Sequence, residues 1–147
     1  MSQAPTAAVV DVLLGLLEAE QNSIFRFMEE SSPYLSPTTL ELRTQIHNMA
    51  QASHRHAQEL ASLIQSLGGT PPPRTVTRED QYLAYLSLKF VVPKLIEAKK
   101  MMIRRYQNAQ TVLADASSQI NDLLSAHLDE HRSHLRILES SVAQQKK

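Results

Sequence analysis

Four stretches of this chain repeat one step pattern, with inward-type side chains separated alternately by four and three residues. Leu42, Ile46, Met49, Ser53, His56, Leu60, Leu63 and Leu67 form one such stripe. Ile120, Leu124, His127, His131, His134 and Leu138 form another at the same spacing. Leu13, Leu17, Glu20, Ile24 and Phe27 make a third, and Leu88, Val92, Leu95, Lys99, Met102, Tyr106, Ala109 and Leu113 a fourth. Residues three and four apart share one face of an α-helix, so the spacing predicts four amphipathic helices. A chain with three glycines, no tryptophan and abundant Ala, Leu, Gln and Glu favours helix over sheet.

Turn chemistry sets the boundaries. The first helix is predicted over 6–31 and ended by Pro33 in SSPYLSP. The second is predicted over 37–67: Pro37 suits a first turn, Thr38 with Glu41 resembles a capping box, and Gly68-Gly69 stops it. The third, over 80–114, follows a cap signal in Thr77 and Asp80, and Pro93 within it predicts a kink or a break. The fourth spans 117–143. The links are thus short, long and short, the long one being GGTPPPRTVT. Short links join antiparallel neighbours, whereas a stiff proline-rich link lets the third helix run parallel to the second. The expected fold class is all-α, one four-helix bundle domain over 1–147 with a long crossover between helices 2 and 3.

Charge narrows the function classes. Fifteen basic and fifteen acidic residues give zero formal net charge, which argues against a nucleic-acid partner. The absence of cysteine excludes disulfides and thiolate metal sites and fits a cytoplasmic protein. The apolar start VVDVLLGLL is interrupted by Asp11 and has no basic residue before Arg26. It makes a poor signal peptide and is too short for a bilayer, so no membrane partner is expected. There is no glycine-rich phosphate loop, nucleophile elbow or His-Glu-x-x-His motif, and no catalytic residue is nominated.

The stripes also repeat as halves. Glu20, Ile24 and Phe27 match Lys99, Ile103 and Tyr106, and Ser53, His56 and Leu60 match His131, His134 and Leu138. Halves related in this way would bring Glu20, Ser53, His56, Lys99, His131 and His134 into one layer. Here the chain resembles the ferritin-like di-iron carboxylate proteins, with a Glu on helices 1 and 3 and a Glu-x-x-His on helices 2 and 4. Glu20, His56 and His134 match ligand positions, and SHRHAQELASLIQSLGGTPP is similar to that family's second helix and its exit. Ser53, Lys99 and His131 stand where the resemblance implies the other three glutamates.

Two expectations follow. In the first, the chain is a non-redox scaffold or interaction protein with a degenerate di-iron site and no cofactor. Lys99 then pairs with Glu20, and Ser53 and His127 complete a core polar network. In the second, Glu20, His56, His131 and His134 hold one iron or zinc ion in an atypical metal-dependent oxidoreductase. His47 and His54 lie off the seam and read as ordinary helix histidines. Lys100, Arg104 and Arg105 read as a solvated face, and Met101, Met102, Ile103 and Tyr106 as core. Gly15 suggests a close helix approach. Leu14, Leu16, Phe25, Leu86 and Phe90, outside the seams, are expected to cover a partner, and a homodimer is the simplest assembly.

Overall fold

A computed structural model describes residues 6–25, 40–72 and 88–145. Four α-helices occupy them: α1 (Thr6–Gln21), α2 (Leu40–Ser66), α3 (Leu88–Val112) and α4 (Ser118–Gln145). The chain is all-α among the described residues, as the stripes predict. The predicted caps at Thr38 and Thr77, the stop at Pro33, and most of the crossover lie outside those residues.

The core consists of two apolar clusters. One gathers Leu13 and Leu17 of α1, Leu60 and Ile64 of α2, Tyr106 and Leu113 of α3, and Ile120 and Leu124 of α4. The other gathers Phe25, then Leu42, Ile46 and Met49 of α2, Val92 and Leu95 of α3, and Leu138 of α4. The order in which each helix visits them fixes the topology. α1 and α4 run from the first cluster to the second, and α2 and α3 from the second to the first. So α2 and α3 are parallel, each antiparallel to its own hairpin partner, which is the arrangement that a long crossover permits.

Helix ends follow local chemistry. Gly68 has φ of 87°, a left-handed conformation that glycine adopts without a Cβ penalty. The Gly69 N–H donates to the Ile64 carbonyl at 2.9 Å and the Gly68 N–H to the Gln65 carbonyl at 3.0 Å, closing α2 with a Schellman motif. A Cβ on Gly69 would lie 2.8 Å from Ile64 Cγ2 and 2.9 Å from Val10 Cγ1, so the α2 exit packs tightly on α1. At the start of α4, the Ile120 N–H donates to Ser117 Oγ at 3.4 Å, the geometry of an N-cap.

Several sequence expectations need correction. The first helix does not run straight through the predicted 6–31 stretch. It stops at Gln21, and helix resumes at Ile24–Phe25. The Ser23 N–H reaches back to the Glu20 carbonyl at 3.3 Å, while Ser23 Oγ accepts from the Phe25 N–H at 3.2 Å. That break resets the helical phase, so Phe25 is buried and Ile24 only half-buried. Phe25 and Leu16 are therefore core residues of this chain rather than cover for a partner, and Leu14 packs on the first cluster. Pro93 does not interrupt α3, which continues through it, so of a kink or a break the break is excluded. Gly15 makes no close approach, since a Cβ there would have no neighbour within 4 Å. Of the expected core run on α3, Met101 is 53% exposed.

Candidate functional site

Between the two apolar clusters each helix carries polar residues at the level where the stripes pass from one cluster to the other. Glu20, Ser53, His56, Lys99, His127 and His131 are all buried there. A buried carboxylate requires donors, and Glu20 has three on one oxygen. Its Oε2 accepts from Tyr106 Oη at 2.7 Å and contacts His56 Nδ1 at 2.8 Å and His131 Nε2 at 2.9 Å. A carboxylate offers lone pairs only, so the contacting nitrogen of each imidazole bears the proton. This assigns the tautomers. With Nε2 of His131 protonated, its Nδ1 accepts from Lys99 Nζ at 3.0 Å. With the Tyr106 proton donated to Glu20, the phenol oxygen accepts from His127 Nδ1 at 3.0 Å.

A continuous chain therefore runs from Lys99 through His131 to Glu20, and from His127 through Tyr106 to the same oxygen. Lys99 does not touch Glu20 directly, as a simple pair would; His131 stands between them. Lys99 Nζ also lies 4.4 Å from the centre of the Phe25 ring, which the break after Gln21 turned inward. Glu20 Oε1 and Ser53 Oγ are buried without hydrogen-bond partners. Ser53 thus sits in the layer but adds no bond to its network.

Burial and neighbours shift the titrating groups strongly. Burial acts most on Glu20 and raises its pKa, yet the hydrogen bonds from His131 and His56, followed by the electrostatic pull of the same two rings, prevail and hold the carboxyl far below its usual range. Burial pushes Lys99 down to about 8 against the pull of Glu20 and Glu130. Burial, then the Glu20 charge, raises Tyr106 well above the usual phenol value. His127 is pushed down to about 3 by burial, followed by the repulsion of His56. At neutral pH the layer holds one anion, one ammonium and neutral His127 and Tyr106.

The four residues nominated as ligands divide. Suitable atoms of Glu20, His56 and His131 all lie within 4.8 Å of one another. His134 stands apart from that set. Its ring centre is 6.2 Å from that of His131, its Nδ1 is buried without a partner, and burial, then Lys99, pushes it down to about 3. His127 stacks on His56 at 3.9 Å between ring centres.

Some residues at the site escaped the sequence reading. Tyr106 belongs to the expected core run, but its hydroxyl binds Glu20, and nothing in the spacing marks that bond. Glu130 reaches His56 Nε2 at 3.3 Å, and Glu59 lies 3.5 Å from His127 Nε2. Arg55 binds Glu130 directly and lies 3.6 Å from Glu59. The Arg55–Glu59 spacing of four residues is visible in the sequence, but the cross-helix pairings are not. On the other side an open groove of about 950 Å³, lined in part by Gly15, Asn22, Phe25 and Met102, reaches Lys99 and His131.

The fold and this inward polar layer define a ferritin-like protein. A family model for the ferritin-like domain matches residues 11–147, and the chain belongs to that family. Among solved structures it is similar to a dodecameric thioferritin, the bacterioferritin-related protein from Bacteroides fragilis. The TM-score is 0.78, with 15% sequence identity over 98% of this chain and 91% of that one, a likeness of fold. No curated protein sequence matches. No described helix is long and apolar enough to cross a membrane.

Proposed function

We propose that this chain is a ferritin-like scaffold or interaction protein in which an internal ion network replaces di-iron chemistry. The observation that carries this reading is Lys99 Nζ, 3.0 Å from His131 Nδ1, with His131 in turn 2.9 Å from Glu20. Two irons require several carboxylates to bridge the metals and balance their charge. Glu20 is the one fully buried carboxylate among the described residues, and an ammonium already neutralises it. Its Oε2 takes three hydrogen bonds, and the two imidazole nitrogens facing it bear protons rather than free lone pairs. These residues do not fit a di-iron centre.

The 4.8 Å grouping of Glu20, His56 and His131 supports a second reading, a mononuclear iron or zinc site in an atypical oxidoreductase. It requires both imidazoles to give up the protons they direct at Glu20 and Lys99 to tolerate a second cation nearby. Those costs place it second. Metal analysis of protein purified without an affinity column, with oxygen uptake measured on adding ferrous iron, separates the two. The scaffold reading expects substoichiometric iron and no saturable uptake. Turnover that disappears in His56→Ala would overturn it.

Assembly belongs to the same proposal. The Bacteroides fragilis protein is described as a dodecamer, and a closed symmetric oligomer suits a scaffold. Light scattering on the full chain distinguishes the simplest case, a homodimer, from larger shells and from a monomer.

A further inference from the structure

The groove between α1 and α3 ends on a cation. It holds about 950 Å³ and is open to solvent, and the buried residues Lys99 and His131 form its inner end. Its apolar lining comes from Ala19, Ile24, Phe25, Ala98 and Met102. An ammonium carries three protons and no lone pair. One proton goes to His131 Nδ1 at 3.0 Å, and the Phe25 ring, its centre 4.4 Å away, offers only its face. Glu20 stands beyond His131, so among the described residues no carboxylate touches the ammonium. A charge taken out of water is best stabilised by a counter-ion hydrogen-bonded directly to it. The groove is the side from which one can approach. Along it Lys94, Lys99 and Arg105 outnumber Glu18 and Glu97, and Glu97 is itself 3.8 Å from Lys100.

We propose that this groove binds a small amphipathic carboxylate, with its head group paired to Lys99 Nζ and its apolar tail along Phe25, Ala98 and Met102. The head accepts a proton that His131 leaves unused, and the stronger charge-assisted bond replaces a cation–π contact. Lys99 is 1% and Phe25 2% exposed, so the head reaches the amine only as the Phe25 ring turns aside. The tail supplies the remaining affinity, about fourfold for each methylene it buries fully. A neutral head on the same tail keeps the burial and loses the charge. A cationic head meets Lys99 and Arg105 as like charges. The site builds on the placement of Lys99 that carries the scaffold reading, and adds to it a ligand of defined charge.

The test is calorimetric titration of the full-length, untagged protein at neutral pH with octanoate, octanol, octylamine and butyrate. One octanoate per chain is expected, bound about tenfold or more tightly than octanol or butyrate, with octylamine weakest. Lys99→Met should keep octanol binding and erase the preference for octanoate. Gly15→Trp probes the tail. A Cβ there meets nothing within 4 Å, so the added ring has room to enter the groove without disturbing α1. It should weaken octanoate about tenfold or more. If Lys99→Met does not fold, the wild-type head-group series and Gly15→Trp decide. Equal affinity for octanoate and octanol in the wild type would overturn the proposal. So would undiminished octanoate affinity in Gly15→Trp, a preference that survives in Lys99→Met, or no saturable uptake of octanoate. None of these results touches the scaffold reading, which iron content and oxygen uptake decide.

Discussion

Replacing Lys99 with methionine removes a buried amine while keeping most of its volume, and its effect should depend on pH in a calculable way. The amine is 1% exposed and its pKa falls from 10.5 in the unfolded chain to about 8 in the fold. Between those values the unfolded chain binds a proton that the folded protein does not, so wild-type stability rises as pH increases from 8 to 10.5. At about 1.4 kcal/mol per pH unit, the interval amounts to a gain of about 3 kcal/mol, absent from Lys99→Met. Other lysines and Tyr106 titrate in both proteins and largely cancel in the difference. The assay is urea denaturation of both proteins from pH 7 to 10.5. Wild type minus variant should be flat up to about pH 7.5 and then climb. Parallel profiles for the two proteins would show that the ammonium is not held in the dry layer, and the chain through His131 would fail with it.

Acid should destabilise the protein from below pH 6.5, because the unfolded chain takes up protons that folded His127 and His134, held at about 3, refuse. The slope from His127 alone is about 1.4 kcal/mol per pH unit, and His127→Phe should flatten the pH dependence of the unfolding free energy from urea denaturation by that amount. Tyr106→Phe deletes a 2.7 Å donor to a charged, buried carboxylate and should cost about 1.5–3 kcal/mol in chemical denaturation. Gly15→Ala should instead stabilise by about 0.5–1 kcal/mol, raising the melting temperature, since its Cβ meets nothing within 4 Å inside α1.

Much of the architecture could be read from spacing. A stripe such as Leu42 to Leu63 has one helical solution, and its members are buried as it requires. The parallel course of α2 and α3 followed from link lengths, because a long link is needed only where a helix must restart at the far end. The half-repeat brought Glu20, His56, Lys99 and His131 to one level for the same reason. The break at Asn22-Ser23 was not legible: neither proline nor glycine marks it, and the local sequence continues the stripe through Ile24. Nor were the roles of Tyr106, Glu59 and Glu130. A stripe specifies which face turns inward but not the few degrees of rotation that decide which atom meets which. Hydrogen bonding needs those degrees.

The placement of charged groups between two hydrocarbon blocks has a consequence for how the rods can slide. Displacing any helix along its axis by one turn, about 5.4 Å, would carry its polar member into a block lined by leucine and isoleucine. Lys99 would lose His131, and Glu20 would lose all three of its donors at once. Leucine against leucine tolerates such a slip; an ammonium against leucine does not. The ionic stratum therefore acts as a longitudinal detent that holds the four rods at a single axial setting.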